Sequence, residues 1–142
     1  VVLHRFASAT HQPSQIVQAL PMTNPTRRHV LGIYGERLAA DYLISLGYEI
    51  LERNWRCGIG EIDLIARDKD RWVFVEVKTR SSVAFGHPFE AINRDKAHRM
   101  QRLALAWLAT HGCLGCDYQI DVAAVLVQSN GKFAIEYREK LL

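Results

Sequence analysis

Two acids and a lysine stand in a pattern that could hydrolyse a phosphodiester: Asp63 in the run Gly60-Glu61-Ile62-Asp63-Leu64-Ile65-Ala66, and Glu76 and Lys78 in Phe74-Val75-Glu76-Val77-Lys78. Both runs alternate as β-strands do, and Asp68-Lys69-Asp70-Arg71 between them is a polar turn, so the segment reads as a hairpin. A four-residue loop pairs Arg67 with Trp72. Counting back sets Ala66 opposite Val73, Leu64 opposite Val75 and Ile62 opposite Val77, which makes one face wholly apolar. On the other face Ile65 meets Phe74, Asp63 meets Glu76 and Glu61 meets Lys78. A slip of one residue would scatter charged and apolar groups over both faces, so the hydrophobic pattern selects this register. Directly opposed like charges on a sheet are destabilising, so Asp63 and Glu76 call for a cation. Hard divalent ions such as Mg²⁺ take oxygen ligands, commonly one or two carboxylates together with substrate phosphate. Lys78, two residues from Glu76 and on its face, is placed to hold a water or to neutralise charge on a phosphate. A plainer reading has Glu61 and Lys78 as a cross-strand ion pair and the two acids pointing into water.

The elements around the hairpin bear on that choice. Ile33 to Leu46 reads as a helix closed by Gly47. Glu36 falls on its apolar side with Ala39, Ala40 and Leu43, and an inward carboxylate is costly unless paired. Glu36 is therefore a candidate third ligand, or else a first-turn glutamate favoured by the helix dipole. Glu49 to Arg56 reads as a strand leading through Cys57-Gly58-Ile59-Gly60 into the hairpin. Phe89 to Thr110 reads as one long helix with Ile92, Met100, Leu103 and Trp107 on one arc, Lys96 in the middle of it and Arg99 at its edge. Lys96 turns toward the cleft to grip a phosphate, or lays its stem along the core and snorkels to water. Tyr118 to Val127 and Lys132 to Tyr137, joined through Asn130-Gly131, read as a final hairpin.

Gly35-Glu36, the Ala39-Ala40-Asp41-Tyr42-Leu43 helix, Gly47-Tyr48, Asn54-Trp55-Arg56, the acidic run from Gly60 to Ile65, and Phe74 to Arg80 occur in an order that resembles the YraN family. That family is similar to archaeal Holliday junction resolvases in the PD-(D/E)XK nuclease superfamily, and the likeness runs from about Gly32 to the C-terminus. It implies a restriction-endonuclease-like α/β fold, a mixed sheet flanked by helices in the order αβββαββ. It also implies a Mg²⁺- or Mn²⁺-dependent endonuclease acting on branched or structured DNA. By resemblance Asp63, Glu76 and Lys78 are the catalytic triad and Glu36 the helix acid. Glu36, Asp63 and Glu76 then hold the metal; the basic residues Arg80, Lys96 and Arg99 are separate candidates for contacts to DNA phosphates. A homodimer on two-fold symmetric junctions is part of the same expectation. Ile62 stands where the superfamily's name has proline.

Composition is consistent with one domain. The 142 residues, 49% of them hydrophobic, suffice for a single core, and a formal charge of +3 is compatible with a polyanionic partner. No apolar run reaches the length of a membrane helix, and the first 21 residues lack the progression of a secretory signal. These features point to a cytoplasmic location with no membrane partner. Residues 1–30 read as a flexible tail, with Met22 a candidate start preceded by non-native sequence, and 31–142 as the domain. Thr26-Arg27-Arg28-His29 is a basic stretch that touches a phosphate backbone or is simply solvated. Cys113 and Cys116 with His111 could form half of a zinc site, but no second pair exists, and reduced structural thiols are the default. His87 is a loop histidine before proline, exposed or facing the cleft. Two functions compete with nuclease activity: a non-catalytic nucleic-acid-binding module of the same fold, and a protein-docking subunit. Surplus carboxylates disfavour the first unless metal neutralises them, and an inward Glu36 gives the second no reason for acids to converge.

Overall fold

The computed structural model describes residues 4–10, 25–82 and 86–141. Strand β1 (His4–Thr10) is followed by helix α1 (Pro25–Ser45), strands β2 (Glu49–Cys57), β3 (Gly60–Asp68) and β4 (Arg71–Arg80), and a single 3-10 turn (Pro88–Ala91). Helix α2 (Arg94–Thr110) and strands β5 (Tyr118–Val127) and β6 (Lys132–Arg138) complete the chain. All six strands form one sheet in the order β1-β6-β5-β4-β3-β2. Among the described residues only β4 and β5 run parallel. A parallel pair needs a long crossover, and α2 provides it. From α1 onward the element order is the expected αβββαββ, and the mixed sheet flanked by helices is compatible with a restriction-endonuclease-like fold.

Strand alternation divides the apolar residues between two layers. Leu64, Ala66, Val73 and Val75 pack with Leu38, Ala39 and Leu43 of α1 on one face. Ile65 and Phe74 pack with Met100, Leu103 and Trp107 of α2 on the other. Helix α1 stops where expected, because Gly47 takes φ +91° and Tyr48 N–H reaches back to Leu43 O at 3.0 Å, a Schellman closure.

Three features differ from the sequence expectations. Helix α1 begins at Pro25 rather than near Ile33, so the Arg27-Arg28-His29 stretch is helical and Arg27 is buried. The segment read as a tail contains β1, which pairs antiparallel with β6 from His4–Arg138 to Thr10–Lys132, and the start of α1; residues 1–3 and 11–24, Met22 included, lie outside the described residues. The single helix expected over Phe89–Thr110 is broken. Asn93 has extended backbone and its side chain accepts from Lys96 N–H at 2.9 Å, which starts α2 afresh, as an Asn N-cap does. His87 caps the preceding 3-10 turn through Nδ1, which accepts from Phe89 N–H at 3.1 Å, and its Nε2 lies 2.8 Å from Glu136.

Candidate metal centre

Within the β3–β4 hairpin the deduced register holds from Arg67–Trp72 to Leu64–Val75 and then stops; at the turn the ladder runs one pair further than the expected four-residue loop, to Asp68–Arg71. The expected pairs Asp63–Glu76, Ile62–Val77 and Glu61–Lys78 are not in the ladder. Instead the Asp63 carboxylate accepts the Val77 backbone N–H through Oδ2 at 2.8 Å. A side chain thus takes the place of a strand partner, and the two strands part at this point. The parting also breaks alternation: Ile62 joins Ile65 and Phe74 in the α2 layer, where a regular strand would have placed it with Leu64 against α1.

The opening is lined by three acids from two elements. Glu36 from α1, with Glu61 and Asp63 from β3, bring one carboxylate oxygen each to within 4.8 Å of one another. Glu36 reaches this position because α1 lies tight on β4 at Gly35. A Cβ at that residue would stand 2.7 Å from Thr79 Cβ and overlap the threonine side chain. Asn54 on β2 closes the group. Oriented with its amide nitrogen toward the acids, it donates to Glu61 Oε1 at 2.8 Å and to Glu36 Oε2 at 3.3 Å. Its backbone is left-handed, φ 53°, a region that asparagine tolerates better than most residues. Glu61 also receives Arg56 Nε at 2.7 Å, so the expected Glu61–Lys78 bridge is absent.

Glu76 sits beside this trio and is buried. Its Oε1 takes two ammonium groups, Lys96 at 2.9 Å and Lys78 at 3.2 Å. Lys96 therefore ends on a carboxylate of the site, and its charge is directed inward. Arg80 donates to its own neighbour Thr79 O at 3.1 Å, and Arg99 is exposed on α2 one turn beyond Lys96.

The electrostatics follow from this crowding. Burial pushes the Asp63 carboxyl up to about 7, the Glu76 charge adds to the rise, and the Val77 N–H opposes it. Burial also raises Glu36, the Asn54 amide counteracts this, and the charges of Glu61 and Glu76 push further upward. Carboxylates held together against repulsion and desolvation make a hard-oxygen donor set that suits Mg²⁺ or Mn²⁺ in charge and ligand type. The residues present fit such an ion.

Of the residues singled out from the sequence, Glu36, Asp63, Glu76, Lys78 and Lys96 gather at the opening, whereas Arg80 and Arg99 lie outside it. Glu61 and Asn54 are additions. Glu61 was assigned to Lys78 by the ladder rule, and the signal that could have recovered it is its i, i+2 spacing from Asp63. Asn54 carried no chemical signal of its own. Among the described residues Glu36, Glu61 and Asp63 form the sole group of three or more potential ligands within 4.8 Å of one another; Cys113, Cys116 and His111 are not brought together in such a group. The His111 ring instead stacks on Trp107 with centroids 3.9 Å apart, and its Nε2 lies 3.4 Å from Glu52.

These features define a small mixed α/β protein with a carboxylate cluster at a splayed hairpin. The chain belongs to the uncharacterised protein family UPF0102, whose model matches residues 35–125. It is 52% identical over 110 residues to a UPF0102 protein of Beutenbergia cavernae, covering 78% of this chain and 93% of the relative. A UPF0102 protein of Streptomyces coelicolor is 48% identical over 112 residues, 78% of this chain and 86% of the relative. Another from Arthrobacter sp. is 48% identical over 110 residues, 78% and 93% of the two chains. The matched region contains Glu36, Glu61, Asp63, Glu76, Lys78 and Lys96. Among the described residues no helix is long and apolar enough to cross a membrane.

Proposed function

We propose that this protein is a metal-dependent endonuclease that hydrolyses phosphodiester bonds in DNA, with branched or otherwise structured DNA as the substrate class. The observation that carries the reading is the convergence of Glu36, Glu61 and Asp63 beside Glu76, with Lys78 at 3.2 Å from Glu76. Acids so placed repel one another, and a divalent ion relieves that cost. The resemblance to resolvase-like nucleases supports the choice of DNA, and a homodimer on a two-fold junction belongs to the same proposal.

Glu36, Glu61 and Asp63 would hold the ion, with Glu76 available once an ammonium releases it. A bound Mg²⁺ or Mn²⁺ supplies Lewis-acid stabilisation of charge on a phosphoryl oxygen and lowers the pKa of water. Lys78 orients the attacking water through its N–H donors and offsets the negative charge that builds on the phosphate. The water oxygen bonds to phosphorus as the bond to the leaving sugar oxygen breaks, the water proton passes to a carboxylate of the cluster or to solvent, and the leaving oxygen takes up a proton from solvent. Lys78 acts mainly as that charge develops, so its removal lowers the rate of cleavage more than binding. Asn54 and Arg56 hold Glu61 in place and take no part in proton transfer.

The test is cleavage of labelled four-way, flapped, single-stranded and duplex DNA with Mg²⁺ or Mn²⁺, by wild type, Asp63→Asn and Lys78→Ala. Cleavage by wild type of one or more substrates, abolished by chelator and by both substitutions while Lys78→Ala still binds metal and DNA, is the expected result. Salt-dependent DNA binding without cleavage of any substrate would replace this reading with that of a binding module.

A further inference from the structure

Remote from the acidic cluster, the chain from the end of α2 to the start of β5 places two thiols side by side. Helix α2 closes with a Schellman motif: Gly112 takes φ +66°, its N–H reaches Ala109 O at 3.3 Å, and Cys113 N–H reaches Leu108 O at 2.8 Å. Cys113 is therefore fixed in direction as the residue after the capping glycine. Three residues on, Cys116 N–H donates to Cys113 O at 3.0 Å, and Gly115 between them has φ +90°. This is a type II β-turn with cysteine at both ends and glycine at the position that needs a positive φ.

A β-turn brings its end Cα atoms within about 7 Å of each other, and a disulfide spans Cα atoms about 4.4–6.8 Å apart. The two thiols are neighbours, near enough for Cys116 to raise the Cys113 thiol. Cys113 is half-buried against the α2 layer and its Sγ lies 3.5 Å from His111 O, whereas Cys116 is exposed. The two sulfurs thus differ in access, one open to a reagent and the other shielded behind it. That asymmetry is the arrangement of an attacking and a resolving thiol. Cys57, on β2, has no cysteine in its own turn.

We propose that Cys113 and Cys116 form a thiol–disulfide site that closes to an intrachain disulfide by exchange with a low-molecular-mass disulfide, the exposed Cys116 reacting first. The Cys116 thiolate attacks one sulfur of the small disulfide RSSR, breaks its S–S bond and releases one thiol, RSH, after protonation. Cys113 then loses its proton to solvent and attacks the Cys116 sulfur of the mixed disulfide. The intrachain S–S bond forms and a second RSH leaves. Two protein thiols are oxidised and one small disulfide is reduced to two thiols. Desolvation, reinforced by the neighbouring Cys116, raises the Cys113 thiol. It therefore waits protonated until the mixed disulfide is held beside it. Backbone hydrogen bonds at both ends of the turn hold the two cysteines at the spacing of a β-turn.

The test treats the fully reduced chain with excess oxidised glutathione, then quenches with acid and reads free-thiol content, intact mass and peptide map. Wild type should fall from three titratable thiols to one, with the mass of two hydrogens lost and a Cys113–Cys116 peptide link. Cys113→Ser should instead retain glutathione on Cys116, and Cys57→Ser should close as wild type does. Both thiols lie at a surface turn, so folding of the variants is checked by their unchanged circular dichroism. Stable glutathione on Cys116 of wild type, a disulfide joining two chains, or a chain that keeps all three thiols would each overturn the proposal.

Discussion

The Lys96 ammonium lies 2.9 Å from Oε1 of Glu76, the same oxygen that Lys78 approaches at 3.2 Å. Lys96 enters from α2 and Lys78 from Glu76's own strand, so a buried carboxylate is neutralised from two elements at once. Burying a charge is tolerable only with such partners. Any divalent ion that draws on Glu76 competes with these ammoniums. Lys96→Met, which keeps the apolar stem and removes the charge, should tighten Mn²⁺ binding by on the order of tenfold, equivalent to about 1.4 kcal/mol. Titration calorimetry in DNA-free buffer measures this directly. Weaker binding in the variant would mean that Lys96 supports the site and does not compete with it.

Asp63 gives a prediction in pH. Its carboxyl is pushed up to about 7 in the folded chain, chiefly by burial, while an unfolded aspartate ionises near ~4. Below ~4 both states are protonated and the contribution of this group to stability is fully present. It is lost as pH rises through about 7, because the unfolded chain has already released the proton that the fold retains. Asp63→Asn carries no such charge and still offers Oδ1 to the Val77 N–H. In chelator the variant should therefore melt above wild type at pH 8, and the gap should shrink by pH 5. A lower melting temperature for Asp63→Asn at pH 8 would contradict the assigned electrostatics. Adding millimolar Mn²⁺ should raise the wild-type melting temperature and leave the variant almost unchanged.

The contact at Gly35 governs whether Glu36 reaches the cluster. Gly35→Ala would drive a Cβ into the Thr79 side chain on β4, and overpacking of this kind costs about 1–3 kcal/mol. The helix must shift and carry Glu36 with it, so Mn²⁺ affinity should fall along with stability. Combining Gly35→Ala with Thr79→Gly removes the whole clashing side chain, its Cβ included, and should recover much of the lost Mn²⁺ affinity. Equal loss in the single and double variants would show that the close approach is not what positions Glu36.

Asp121 tests the far side of the core. It is fully buried on β5 and accepts Tyr137 O–H at 2.5 Å, Gln119 Nε2 at 2.9 Å and Lys140 N–H at 2.9 Å. Burial raises its carboxyl to about 6 against those three donors. Tyr137→Phe withdraws one donor from a desolvated carboxylate and should cost about 1–3 kcal/mol, read as a lower urea midpoint. The metal affinity should not move, since the network does not touch the acidic cluster. An unchanged midpoint would mean that the hydroxyl is dispensable.

Much of this molecule is legible from residue order. Alternation over Leu64–Ala66 and Val73–Val75 dictates their pairing, because a shift of one residue would turn apolar side chains to the wrong layer. A strongly apolar run gives β5, and Gly47 marks the end of α1 through a backbone conformation that glycine adopts freely. The types of the site residues Glu36, Asp63, Glu76 and Lys78 are likewise visible, since acids and a lysine on apolar elements demand partners. Alternation describes a ladder, however, and loses its meaning where the ladder stops. At Asp63 a carboxylate binds the Val77 N–H in place of a backbone partner. Ile62 consequently changes layer, and Glu61 meets Arg56 in place of Lys78. The Asn93 cap likewise breaks a pattern that reads as one helix. Cap and helix interior both accept the same neighbours, and the backbone path of the preceding turn decides between them. Glu36, Asn54 and Glu61 meet only because α1 rests on β4 at Gly35 and β2 bends at Asn54 to pass beside the acids. Those approaches join residues far apart in the chain, and their distances are set by packing across the sheet, a property that no local period records.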